Sequence, residues 1–497
     1  MRKNGVLMPI FSLPSRYGIG SIGREAFRFV DFLKKAGQSY WQILPVGPVS
    51  YGDSPYQSFS TYAGNPYFID IELLIERGLI TGAEADSFDF GSDPTLIDYG
   101  LLFQNRLPLL RIAFSRFEKS DEYREFCRRG AYWLDDYALF MAIKSSQDNR
   151  PWYEWPELLK KRDSAALDSA RETLAEDIEF YKFLQFLFSS QWHALKNYAN
   201  QNGIKIIGDI PIYVAFDSAD VWANTDQFQL SSALEPTAVA GCPPDAFSED
   251  GQLWGNPLYD WAKMKRDGYS FWCRRLAYAL SVYDVVRIDH FRGLEAYYAI
   301  PYGDETAKNG VWKKGPGMSL FNAFKSTIGS SLPLIAEDLG FLTEGVLALL
   351  KKSGLPGMKV LQFAFDSREE SDYLPHNYGT NCVVYTGTHD NDTILGWSET
   401  APSEDVALAR RYLGIGESDS LIWPMMRAAM ASVADTCILM MPDLISLGSE
   451  GRINTPSTLE GNWRWRINGD CINDWLAEVL YEHTALYGRT KKEKTEE

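Results

Sequence analysis

Eight short apolar runs constrain this chain more than any other feature. They fall at residues 5–11, 40–49, 204–214, 285–291, 333–340, 358–365, 382–388 and 437–445, and longer, more polar stretches separate most of them. Apolar runs of this length, bounded by turn residues, read as buried strands. The stretch between the first two shows how they are joined. Ile22, Ala26, Phe29, Val30 and Leu33 follow helical spacing, and Gly37 ends the helix. Strand, helix, strand implies a parallel pair, because parallel neighbours need a crossover longer than a hairpin. A second helix is expected from Thr343 as N-cap to Lys351 and Lys352, with Gly354 and Pro356 as stop signals. A last amphipathic helix is expected over about 473–487. Eight strands with excursions between them predict an α/β fold, a (β/α)₈ TIM barrel. A doubly wound open sheet is the alternative, but no Gly-x-Gly-x-x-Gly or Walker sequence opens a helix after a strand here.

The chain has 497 residues, and a barrel of this kind needs about 250. The expected organisation is one catalytic barrel over residues 1–497 with insertions in its loops. One mostly helical insertion follows the second strand, at about 51–202, and a lid follows the third, at about 216–256. Residues 491–497 are a charged tail expected to be disordered. A formal net charge of −17 repels nucleic acid and anionic membranes, so neither is an expected partner. The six cysteines are scattered without a Cys-x-x-Cys, which speaks against a disulfide framework or a zinc site. No stretch reads as a signal peptide or reaches transmembrane length, and the cytoplasm is the expected location. Aromatic residues make up 14% of the chain, a surplus that suits both a large core and flat sugar-binding platforms.

Residues 285–293 (VVRIDHFRG) carry the densest chemistry. Arg287 and Asp289 share one face of the strand while Val286 and Ile288 share the other. A guanidinium beside a carboxylate favours the anion, as a nucleophile requires. The same pair also suits a structural cap. In such barrels the active site lies at the C-terminal strand ends. Four proposed strands carry an acid there: Asp209, Asp289, Glu337 and Asp390. His290 and His389 each adjoin one of them, and the chain has only five histidines. A magnesium site could use such acids, but Arg287 beside Asp289 would compete with a metal. Paired acids acting on a neutral substrate point to glycoside cleavage. Glu337 shares its strand face with Ile335, an apolar neighbour consistent with a raised pKa, while Asp338 faces the other way and reads as structural. Gly and Pro at both ends of 241–257 suggest a hinged lid, with Trp254 either a sugar platform or a buried ring.

Six motifs in order extend this pattern: Ser54-Pro55-Tyr56-Gln57, residues 208–214 (GDIPIYV), residues 252–260, residues 287–293, residues 336–340 (AEDLG) and residues 386–392 (TGTHDND). Together they resemble the amylomaltase or disproportionating-enzyme family, 4-α-glucanotransferases related to α-amylases. The resemblance runs from about residue 5 to residue 465. It implies a retaining double displacement with Asp289 as nucleophile, Glu337 as acid/base and Asp390 holding hydroxyls of the reacting ring. It places Tyr56, Asp209, Arg287, His290 and His389 in the same subsite and gives Trp254 to acceptor sugars. Asp392 is an alternative to Asp390, and Asn454 and Asn462 are further candidates. The family implies no metal or organic cofactor. Its partners are maltooligosaccharides and α-1,4-glucans, with glucose as an acceptor. Some members carry an aromatic residue in the lid where this chain has Ala246. An α-1,4-glucan hydrolase with the same acids is the alternative enzyme, and a non-catalytic glucan-binding protein is the rival from another class.

Overall fold

A computed structural model describes residues 2–50, 52–244, 248–340, 342–458 and 460–490. Ala246 and the tail 491–497 lie outside these residues. The described residues form twelve strands: β1 Lys3–Leu7, β2 Tyr40–Gln42, β3 Lys205–Ile210, β4 Ala238–Cys242, β5 Gln252–Pro257, β6 Val285–Ile288, β7 Ala296–Pro301, β8 Val311–Lys314, β9 Leu334–Ala336, β10 Gly357–Val360, β11 Cys382–Tyr385 and β12 Thr436–Met440. Eight of them form one sheet in the order β10-β11-β12-β1-β2-β3-β6-β9, and every neighbouring pair is parallel. The Ala336 amide donates to Pro356 O at 2.9 Å, which brings the outer strands β9 and β10 together. The eight thus follow chain order around a barrel, one strand for each apolar run.

Each strand is shorter than its run. The run at 40–49 contributes only Tyr40–Gln42, yet Ile43, Leu44 and Val46 beyond it remain buried. The run at 437–445 ends its ladder at Met440 and turns into the helix Met441–Leu444, whose four residues are all buried. Apolar character reports burial, and these segments stay buried after the backbone leaves the ladder to cross the barrel rim. The helix between β1 and β2 spans Arg24–Lys35 and buries Ala26, Phe29, Val30 and Leu33. Thr343 caps the helix Glu344–Ser353 by accepting from the Val346 amide, and Gly354 closes it with φ +75°. Asn473 caps the helix Asp474–Leu486.

Between β2 and β3 lie the long helices Tyr99–Ser115, Asp121–Ser146 and Ala175–Gln201. Their buried residues, among them Leu109, Phe140 and Leu184, belong to the same apolar core as the strands. The remaining strands form an antiparallel sheet in the order β5-β4-β7-β8. It joins part of the expected lid to two strands that follow β6, and neither β7 nor β8 was expected from the sequence. Val239, Tyr298, Ile300 and Ala307 form a small apolar cluster of their own in this unit. Residues 238–242 and 252–257 of the expected lid are therefore strands of this sheet.

Candidate active site

Sheet register builds the floor of the site. Asp209 on β3 pairs with Arg287 on β6, and Arg287 pairs with Ile335 on β9. Arg287 Nη1 donates to Asp209 Oδ2 at 2.6 Å and to Asp289 Oδ1 at 3.0 Å. Tyr56 Oη donates to the same Asp209 oxygen at 2.9 Å. The Arg287 and Asp209 side chains are closed off from solvent, whereas Asp289 keeps 30% of its side-chain surface open to the cleft. Below them, Tyr385 Oη donates to Gln42 Oε1 at 2.9 Å in the buried interior.

The chain turns sharply after Asp289. His290 takes a left-handed conformation at φ 52°, unusual for a residue with a side chain. The turn aims the His290 amide at Glu337 Oε2, at 2.7 Å, and the Leu339 amide donates to Glu337 Oε1 at 2.8 Å. Phe291 N to Glu337 O, at 3.1 Å, fastens the same turn. Glu337 is thus held by two amides at the end of the strand next to Asp289. Asp338, expected to be structural, faces away and accepts from the Met358 amide at 2.6 Å.

Burial raises Asp289 above the ordinary carboxylate range, Arg287 pulls it back, and Asp209, Glu337 and Asp390 push it up again. The net direction is opposite to the lowering expected from Arg287 alone. The reason is geometric: Asp209 shares the guanidinium, and burial outweighs what is left. The open face of Asp289 tempers that rise. Burial also raises Glu337, against the Arg287 charge and the two amides. Two acids that feel each other take up protons in separate steps, so between those steps the pair holds one proton. Burial pushes His290 down to about 3 and lowers His389, which keeps both imidazoles neutral near neutral pH.

The loop after β11 forms the opposite wall. The His389 ring stacks on Tyr56 with centroids 5.2 Å apart, and Trp463 tilts against both. Asp390 shows 44% of its side chain to the cleft and lies 3.4 Å from His389 Nε2. Asn454 Nδ2 donates to Asp390 Oδ1 at 2.6 Å, and Arg452 Nη2 donates to its carbonyl at 3.1 Å. Asp392 is turned inward, accepting from Ser449 Oγ at 2.7 Å and from the Thr393 amide at 2.8 Å. Asn462 stays on its own loop, with Thr455 and Thr458. Trp254 on β5 meets the His290 ring edge to face at 4.8 Å and is half-buried. Gln57 Nε2 donates to Asn256 Oδ1 at 3.3 Å, joining the Ser54–Gln57 turn to the lid sheet.

The nine preferred candidates therefore come together at one end of the barrel, with Asp209 and Arg287 buried beneath the open face of Asp289; Asp392 and Asn462 do not join them. Arg452 and Trp463 were missed; neither belongs to a motif with a chemical pattern. Gln42 had a usable signal, a polar residue inside an apolar run.

A model of the 4-alpha-glucanotransferase family matches residues 8–472. A 4-alpha-glucanotransferase of Clostridium butyricum is 50% identical over 97% of this chain and all of its own length. One from Thermus thermophilus is 50% identical over 94% of this chain and 95% of its own. The solved amylomaltase of Streptococcus agalactiae, in complex with acarbose, is 41% identical and superposes with a TM-score of 0.96 over 99% of this chain and 100% of that one. The chain belongs to the 4-alpha-glucanotransferase family.

Proposed function

We propose that this chain moves α-1,4-glucan segments from a donor maltooligosaccharide or starch-type glucan to the 4-hydroxyl of an acceptor, with Asp289, Glu337 and Asp390 as its catalytic groups. The 4-α-glucanotransferase activity follows from the family. The residue roles rest on one observation above all: two half-buried carboxyls at adjacent strand ends, one touched by Arg287 and the other held by two amides.

Asp289 attacks the anomeric carbon of the donor while Glu337 gives its proton to the glycosidic oxygen, releasing the reducing-end fragment. The acceptor 4-hydroxyl then attacks the same carbon, Glu337 takes the hydroxyl proton, and Asp289 leaves as the carboxylate. The direct guanidinium contact supports the negative charge on Asp289 and the shared proton on Glu337. The two amides on Glu337 work the other way, so it holds its proton loosely enough to give it up. Asp390, open to the cleft beside neutral His389, is placed to hold ring hydroxyls. Trp254 offers its face to the acceptor side. In this reading residues 51–202 and 216–256 are insertions that wall the cleft of one barrel. Cytoplasmic localisation is part of the same proposal, supported by cysteines scattered through the sequence rather than grouped in a disulfide framework.

Incubation with maltotriose alone tests the reaction. Glucose and a ladder of longer maltooligosaccharides, with reducing ends constant, is the expected result. Rising reducing ends with shorter products only would make it a hydrolase.

A further inference from the structure

Asp443 takes no part in the cleft, yet it is bonded to both ends of a loop that does. It lies in the short helix Met441–Leu444 after β12 and is 1% exposed. Its two carboxylate oxygens bind one loop at both ends. Oδ2 accepts from Thr386 Oγ1 at 3.0 Å, and Oδ1 accepts from the Ile394 amide at 2.7 Å. Thr386 is the first residue after β11, and Ile394 opens the helix Ile394–Thr400. His389 and Asp390 lie between them. Asn391 Oδ1 ties the inside of the loop by accepting from the Thr388 amide and hydroxyl, each at 2.9 Å. Gln362 supports it from the neighbouring strand end, with Nε2 donating to Asp392 O at 2.8 Å. Among the described residues no Lys, Arg or His makes an ion pair with Asp443. A buried carboxylate without a cation is costly, and a neutral side chain would cost less if stability alone were at stake. A carboxyl group, unlike a hydroxyl, holds two partners on opposite sides at fixed spacing, whether it is ionised or protonated.

We propose that Asp443 is a positioning residue, a clasp across the neck of the 386–394 loop that sets where Asp390 meets the reacting sugar. The proposal rests on the catalytic reading of Asp390 given above. In the full chain, Asp443→Ala is expected to lower kcat for maltotriose disproportionation ~10–100-fold, since misplacing a reacting group by about 1 Å costs that much, while KM changes less than about threefold. Asp443→Asn is expected to restore most of the loss, because its oxygen accepts from Ile394 and its amide donates to the Thr386 hydroxyl. On an Asp390→Ala background, assayed with an activated glycosyl fluoride donor, Asp443→Ala should cost less than about twofold, because effects routed through one group do not add. If Asp443→Ala does not fold, Thr386→Val removes one of the two bonds at constant shape. It is expected to lower kcat ~3–10-fold, about the worth of one hydrogen bond, and again to do nothing further on Asp390→Ala. Unchanged kcat in a folded Asp443→Ala or Thr386→Val, or equal losses on both backgrounds, would overturn the clasp. Normal activity in Asp390→Ala alone would instead overturn the reading of Asp390.

Discussion

Arg287→Met is the sharpest test of how the site sets its charges. One nitrogen, Nη1, serves both Asp209 and Asp289, at 2.6 and 3.0 Å. Methionine keeps the length of the side chain and removes both bonds. A hydrogen bond to a charged group is worth about 1.5–3 kcal/mol, and breaking a buried ion pair costs about 3–5 kcal/mol of stability. Losing the bond to Asp289 removes stabilisation of its anion alone. At 1.36 kcal/mol per unit, about 1.5–3 kcal/mol raises its pKa by about 1–2 units. The nucleophile works as the anion, so activity is lost as pH falls through that pKa. The acid limb of kcat/KM therefore moves to higher pH by about 1–2 units in Arg287→Met, and by less in Arg287→Lys, which keeps the charge. The assay is maltotriose disproportionation from pH 4 to 9, with thermal melts at each pH to show that the protein is folded. A limb that stays in place while activity falls evenly at all pH values would refute the electrostatic reasoning and leave Arg287 a structural residue.

Asp289→Asn should abolish turnover while glucan binding, measured by calorimetry, persists; near-normal activity would remove the nucleophile assignment. Glu337→Gln should be slow with maltooligosaccharides and much less impaired with donors whose leaving group needs no proton, and equal losses on both would count against an acid role. Trp254→Ala should raise the KM for glucose as acceptor by ~5–10-fold, the loss of roughly one ring contact, with donor cleavage little changed. Asp443 gives a stability prediction of defined sign. Burial pushes it up to about 7, so the folded chain holds a proton there that the unfolded chain has released. Its contribution to stability therefore falls as pH rises from about 4 to 7, by at most ~4 kcal/mol, and Asp443→Asn should flatten that part of the melting-temperature profile. An unchanged slope would show that another group carries it.

How far the site could be read from sequence depended on how each residue is encoded. Arg287, Asp289 and His290 sit in one strand and its end, where period-two alternation and an abrupt change from Val and Ile to charge mark them locally. Asp390 was preferred over Asp392 because it directly follows His389, as in the motif the chain resembles, and the structure turns Asp390 to the cleft and Asp392 inward to Ser449. Local pattern could not reveal β7 and β8, because β8 is exposed along its whole length and has no buried face to alternate against. Nor could it show that Arg287 divides its charge, since Asp209 is 78 residues away in the chain.

The sequence alone determined the eight-strand rhythm, the Thr343 cap of the helix at 344–353, the last helix over about 473–487, and the acids at four strand ends. These are written in hydrophobic periodicity and in the charge that interrupts it, both properties of neighbouring residues. Only the tertiary structure decided the strand limits, the antiparallel sheet behind Trp254, the direction of the Asp289 shift and the clasp at Asp443. Each of these depends on what burial brings together across long stretches of chain, and desolvation and register are set there rather than by any local run of residues.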